Sequence, residues 1–189
     1  MISAILLAAG QSKRMDGENK LIKEIKGSPL INFSIKNILE SSIDELIIVL
    51  GYQKQIVEKF IDKNNKIKLV FNKNFESGMA SSIKSGLNNL SSKTDAFFIC
   101  LGDMPMVNKD IYNLLIKFRE GNDIVVPTYK GKQGNPILFS SSMKEKIMTI
   151  QGDVGAKKIL EKNKNKIFNI EINDKSITED FNIRDTFNS

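Results

Sequence analysis

The sequence predicts an α/β domain: a mainly parallel sheet covered by helices on both faces. Three observations predict it. The chain opens on an apolar run, Ile2 to Leu7, that carries no charge and is long enough for a buried strand. Strand-like and helix-like stretches then alternate along the rest of the sequence, as parallel sheets require. Finally, Asp95 to Leu101 is nearly all apolar, which places it centrally, covered on both sides.

The elements follow in order. Gly27-Ser28-Pro29 introduces a helix from Leu30 to about Glu40, with Pro29 suited to a first helical turn. Asp44 to Leu50 reads as a second strand ending at Gly51. A helix from about Gln53 to Lys63 would bury Ile56, Val57, Phe60 and Ile61 on one face. Ile67 to Phe71 is a third strand, Met79 to Leu90 a helix, and Asp95 to Leu101 the fourth strand. Asn108 caps a helix reaching Arg119, with Ile111, Leu114, Leu115 and Phe118 inward. Asp123 to Pro127 is a fifth strand. A glycine-rich turn, Lys130 to Gly134, leads to a short strand, Pro136 to Phe139. Ser140 to Ile150 and Val154 to Lys162 look helical, and Lys166 to Ile172 alternates as a last strand.

Composition excludes several classes. The 189 residues fit one domain, 1–189, with a substantial core. No apolar run approaches the length of a membrane span, and the opening run lacks the basic flank of a signal peptide. A single cysteine, Cys100, permits no intrachain disulfide, which is compatible with a cytoplasmic location. The net charge of +6 comes from scattered lysines without interleaved aromatics, so neither nucleic acid nor a membrane is expected as a partner. There is no histidine, which removes His acid–base chemistry and His metal ligation. A metal would therefore rest on oxygen ligands, which points to Mg²⁺ or a similar hard ion.

Chemistry concentrates where strands end. After the first strand, Ala8-Ala9-Gly10 lets the backbone approach a ligand, and Ser12, Lys13, Arg14 and Lys20 supply donors and cations for phosphate. The stretch is neither G-x-x-x-x-G-K-[ST] nor G-x-G-x-x-G. At Leu101-Gly102-Asp103-Met104-Pro105 a buried strand delivers a carboxylate to the carboxyl edge, where open α/β sheets bind ligands. Alone, Asp103 reads equally as a metal ligand and as the cap of a turn. Asn72 follows a strand and could bond a base or ribose. Gly78 precedes a helix whose first turn carries Ser81 and Ser82, which suits an anion or simply a well-capped helix.

Together these stretches resemble the molybdenum cofactor cytidylyltransferase branch of the molybdopterin nucleotidyltransferases. The carriers are Leu7-Ala8-Ala9-Gly10-x-Ser12-x-Arg14-Met15 with Lys20, Gly27-x-Pro29-Leu30, Asn72 through Gly78-Met79-x-Ser81-Ser82, Leu101-Gly102-Asp103-Met104-Pro105, Gly134-x-Pro136-Ile137-Leu138-Phe139 and Gly152-Asp153-x-Gly155-Ala156. The resemblance implies a Rossmann-like three-layer sandwich of the nucleotide-diphospho-sugar transferase type. It implies Mg²⁺-dependent transfer of CMP from CTP to a molybdopterin-type cofactor, with release of pyrophosphate. It also names a molybdoenzyme or its chaperone as a candidate partner. By the same resemblance Leu7, Ala8, Ala9, Gly10, Ser12, Gly78, Ser81 and Ser82 lie along the nucleotide, and Asn72 contacts the nucleoside. Arg14 and Lys20 hold phosphates, Asp103 holds the metal, and Asn135 faces the acceptor.

The chain departs from that pattern at three places. The interval from Arg14 to Lys20 is one residue longer. Asn135 stands where the family usually carries His. The C-terminal Asp-Ile-Asp-Thr motif survives either as Asn182-Ile183-Arg184-Asp185-Thr186 or within Asp174 to Asp180; the first register makes Asn182 a second metal ligand. Two other readings remain: the same fold acting with GTP or another small phosphorylated acceptor, and a nucleotide-binding module without transfer activity.

Overall fold

Both faces of the opening strand, β1 (Ile2–Ala8), are buried, as its apolar run requires. The computed structural model describes residues 1–11, 19–153 and 155–181. A small hairpin of β2 (Glu24–Ile25) and β3 (Ser28–Pro29) leads into α1 (Leu30–Leu39). Then come β4 (Glu45–Leu50), α2 (Lys54–Val57), β5 (Ile67–Phe71), α3 (Met79–Leu87), β6 (Ala96–Leu101) and α4 (Lys109–Lys117). The later part holds β7 (Ile124–Tyr129), β8 (Lys132–Gln133), β9 (Ile137–Ser140), α5 (Lys144–Met148), α6 (Ala156–Lys162) and β10 (Ile167–Glu171).

The main sheet runs β5-β4-β1-β6-β9-β7-β10, with β8 beside β7. β1 is parallel to β4 on one side and β6 on the other, so the strand order reverses direction at β1, the place where such sheets open a crevice. β9 runs antiparallel to both β6 and β7. The sheet is thus mainly parallel, with β9 inverted within it and the short β8 antiparallel to β7. Alternation along each strand feeds two cores. Ala4, Leu6, Ile48 and Phe98 pack with α1 and α4, whereas Ile5, Ile47, Phe97 and Phe139 pack with α3, α5 and α6. Phe97 stacks on Phe139 at 5.7 Å between ring centres, and Phe98 meets Tyr112 edge-on at 5.3 Å.

Several expected elements are shorter. The helix expected from Gln53 to Lys63 is only α2 followed by a 3₁₀ turn, Glu58–Phe60. Gln53 at its start is left-handed, and Val57 alone is fully buried, while Ile56 and Phe60 are exposed. α3 ends at Leu87 rather than Leu90. Ser140 to Ile150 divides into a 3₁₀ turn, Ser141–Met143, and α5. Asn108 caps α4 as expected, its Oδ1 accepting from Asp110 N–H at 2.9 Å and Ile111 N–H at 3.2 Å. Phe118 does not turn inward; it is exposed and stacks on Phe168 of β10 at 5.6 Å.

Candidate active site

The parallel register aligns the ends of β1, β4, β5 and β6. Ala8 pairs with Leu50, Leu50 with Phe71, and Leu7 with Leu101. Ala9, Gly10, Gly51, Asn72, Gly102 and Asp103 therefore emerge at one edge. Gly102 N–H donates to Leu7 O at 3.0 Å, tying the β6 turn to β1. From below, α1 fixes the same turn: Ser34 Oγ donates to Gly102 O at 3.2 Å and Asn37 Nδ2 to Pro105 O at 2.9 Å. The turn on either side of Asp103 is thus held by β1 and α1.

Lys20 reaches the same place by a local device. Asn19, buried, caps the 3₁₀ turn Lys20–Ile22, its Oδ1 accepting from Leu21 N–H at 3.1 Å. Leu21 is buried in the core, which leaves the preceding lysine pointing across the edge. Lys20 Nζ lies 3.3 Å from Asp103 Oδ2. The two residues expected as phosphate cation and metal carboxylate are therefore brought together. A second carboxylate joins them, with Asp180 Oδ2 3.8 Å from Lys20 Nζ. Next to it, Phe181 N–H donates to Asp103 O at 2.8 Å. Sequence reasoning named Asp180 only as the end of one of two registers and assigned it no role. Asn182, Ser12 and Arg14 lie outside the described residues.

Asn72, Ser81 and Ser82 also meet, but with one another. Asn72 is buried; its Nδ2 donates to Ser81 Oγ at 2.7 Å and Ser82 Oγ at 3.0 Å, and its Oδ1 accepts from Asn74 N–H at 2.9 Å. Gly78 begins α3 at φ +103°, and a Cβ there would lie 2.6 Å from Asp153 N. The loop pressed against it caps the helix: Met79 N–H donates to Asp153 Oδ1 at 3.2 Å and Ala80 N–H to Gly152 O at 3.2 Å. The donors that the sequence offers to an anion at this helix start are bonded within the chain. Gly152-Asp153 had no assigned task in the sequence, because its partner lies 74 residues away.

Asn135 stands on the other flank. β9 is antiparallel, so its start lies at the carboxyl edge of β6, where Ile137 pairs with Ile99. The Asn135–Pro136 peptide is cis, and Asn135 N–H donates to Ile177 O at 2.7 Å. One strap, residues 177–181, thus joins the Asn135 turn to the Asp103 turn. Among the described residues, no three Cys, Asp or Glu side chains gather to hold a metal. Asp103 and Asp180 do offer hard oxygen donors around one point, which fits a cation that takes one or two protein carboxylates and completes its shell with phosphate oxygens. Cys100 supplies no nucleophile, because burial pushes its thiol up to about 12.

These features agree with comparisons to known proteins. A probable molybdenum cofactor guanylyltransferase of Methanosarcina acetivorans is 32% identical over 134 residues, 68% of this chain and 57% of that protein. The molybdenum cofactor cytidylyltransferase of Escherichia coli is 30% identical over 140 residues, 74% of this chain and 70% of that protein. The chain thus spans less than two thirds of the first relative. Among solved structures, Rv0371c from Mycobacterium tuberculosis superposes with a TM-score of 0.81 at 21% identity, covering 90% of this chain and 87% of that one. The same protein has been solved in complex with manganese, with a TM-score of 0.77 at 19% identity over 90% of this chain and 88% of that one. Residues 4–167 match the model of the MobA-like NTP transferase domain, and the chain belongs to that family.

Proposed function

We propose that this protein transfers CMP from CTP to a molybdopterin-type cofactor, with release of pyrophosphate. The observation that carries the reading is the convergence of Lys20 and Asp103 at the β1–β6 edge. Nucleotidyl transfer needs positioning and charge neutralisation more than a protein nucleophile, and a chain without histidine and with its one cysteine buried offers those means. Lys20 holds the β- and γ-phosphates, and Arg14 and Ser12 add donors from the same loop. Leu7 to Gly10 lie along the nucleotide. Asn72 acts at the nucleoside or, through Ser81 and Ser82, by setting the end of α3 that faces it; Gly78 brings that helix start close.

The acceptor's terminal phosphate oxygen attacks the α-phosphorus in line. The bond from that phosphorus to the bridging oxygen of the β-phosphate breaks, and pyrophosphate leaves with the electron pair. Asp103, with Asp180 or Asn182 as second ligand, would hold a Mg²⁺ ion, which would supply charge neutralisation to the departing group. Asn135 lies on the acceptor side, and a cytoplasmic location fits the substrates.

CTP is favoured by the likeness of Leu101 to Pro105 and of Gly152 to Ala156 to the cytidylyl branch. GTP is the second reading, favoured by relatives named as guanylyltransferases. The test is pyrophosphate release with Mg²⁺, molybdopterin and each nucleoside triphosphate in turn. CTP should give the highest kcat/KM. Comparable values for GTP would remove the branch assignment, and no release with any nucleotide would leave a binding module.

A further inference from the structure

The carboxyl edge carries a second polar pair that the transfer step does not use. Gln11 follows the small-residue turn after β1, and Glu76 lies in the 3₁₀ turn Phe75–Ser77 after β5. Gln11 Nε2 donates to Glu76 Oε1 at 3.2 Å, across 65 residues of sequence. Beneath them the strand ends are closely packed: Gly51 is buried, and a Cβ on it would sit 2.7 Å from the Cβ atoms of both Ala9 and Phe75. Open space begins over the exposed Gly10, where a Cβ would meet nothing within 4 Å. Bare backbone under open space, with a polar rim, suits a flat ring that is apolar on its faces and polar on its edge.

Direction along the edge identifies the ring. The strap and the Asn135 turn occupy the β9 side of Asp103. A triphosphate held at Lys20 therefore extends its nucleoside over β1, β4 and β5. Three strand spacings separate β6 from β5, roughly 14 Å at about 4.8 Å each, which is comparable to an extended nucleoside triphosphate. We infer that Glu76 and Gln11 read the edge of the nucleobase, Glu76 accepting from an exocyclic amino group, so that the site selects CTP or GTP against UTP. The inference rests on the nucleotidyl-transfer reading above.

The donor and acceptor patterns support it. A carboxylate only accepts, whereas a carboxamide donates and accepts. Cytosine presents its amino group beside the ring acceptor N3, matching Glu76 and then Gln11. Guanine presents N1–H and its amino group to the carboxylate and O6 to the amide. Uracil flanks its single ring N–H with carbonyls, so lone pairs would face the carboxylate. A site built for a donor rejects an analogue that lacks it more strongly than a shape-filling pocket can. The pair reads the amino group, not ring size, and so does not divide cytosine from guanine.

The experiment measures binding of CTP, GTP and UTP, each with Mg²⁺ and without acceptor, to the wild type and to Glu76→Gln, with pyrophosphate release run in parallel. In the wild type the better of CTP and GTP should bind at least about ten-fold tighter than UTP. Glu76→Gln, exposed and isosteric, should cut that ratio about ten-fold, because an amide can turn a donor toward uracil. UTP binding equal to the others, or an unchanged ratio in Glu76→Gln, overturns the base reader and leaves transfer standing. Discrimination without pyrophosphate release supports the base reader and removes transfer. No binding of any nucleotide overturns both.

Discussion

At the amino edge of the sheet, Asp44 Oδ2 accepts from Ile2 N–H at 2.7 Å, and Glu45 Oε2 accepts from Ser3 Oγ at 2.9 Å and Ser91 N–H at 3.3 Å. Asp123 there takes Ser142 Oγ at 2.9 Å and pairs with Lys166. At the carboxyl edge, Asp103 and Asp180 face the side chain of Lys20. The first set binds groups that the fold itself presents, mostly backbone and short hydroxyls. In the second set the turn carrying Asp103 is pinned through its backbone, while the charged ends of Asp103 and Asp180 meet a long, adjustable cation. A lysine can exchange one anion for another as a ligand arrives; a backbone N–H cannot follow. Carboxylates at one end close the sheet, and those at the other face a cation on a long side chain.

The largest effect that tests this contrast is Asp103→Asn. It should lower kcat roughly 10²–10³-fold, the scale of removing one preorganised electrostatic group, with little change in Tm. Asp44→Asn should do the reverse, lowering Tm and sparing kcat. A wild-type rate for Asp103→Asn with Mg²⁺ would break the comparison.

Next comes Lys20→Ala. A charge-assisted hydrogen bond to phosphate is worth roughly 1.5–3 kcal/mol, or roughly 10- to 150-fold in nucleotide affinity. Lys162→Ala, at the end of α6, serves as control, and titration of both variants with nucleotide should separate them clearly. Equal losses would remove any special role for Lys20.

A smaller change is expected from Asn135→His. The KM of the acceptor should move roughly two- to ten-fold, the worth of one hydrogen bond, and acquire a pH dependence near the imidazole pKa. The KM for CTP should stay put. An effect confined to CTP would put Asn135 on the nucleotide side.

The smallest belongs to Asp123→Asn. Hydrogen bonds from Lys166 and then Ser142 hold the Asp123 carboxyl below its ordinary value of 3.8. A depressed folded value means that the stabilisation is present above about 3.8 and fades as pH falls through the lower folded value. The pair is about one third exposed, so about 0–1 kcal/mol is at stake. Acid unfolding curves should show the variant losing part of its sensitivity below pH 4 while activity near neutrality is unchanged. A large loss of Tm at pH 7 would contradict this.

Most strands were legible because a buried parallel strand must be apolar on both faces, and Ile2 to Ala8, Glu45 to Leu50 and Ala96 to Leu101 have few other uses. The direction of β9 was not legible, since Pro136 to Phe139 reads the same whichever way it inserts. α2 was overextended because Ile56 and Phe60 keep helical spacing while the left-handed backbone at Gln53 carries no composition signal. In the site, Lys20 and Asp103 could be named from local context. Asp180 could not, because what singles it out is proximity to a residue 160 positions earlier. The cap that Asp153 places on α3 failed for the same reason.

The family match ends at residue 167, yet two later groups hold the turns beside Asp103 in place. Asn135 N–H rests on Ile177 O at 2.7 Å and Phe181 N–H on Asp103 O at 2.8 Å. These two amides can serve as clocks. Local opening sets the rate at which a bonded N–H trades its proton with water, so each amide records how often its end of the strap lifts. Exchange at one shared rate would mean that residues 177–181 leave as a unit, and that rate would then cap how often this side of the cleft admits or releases a molecule. Separate rates would mean a hinge at Thr178 or Glu179, with one turn held while the other is freed.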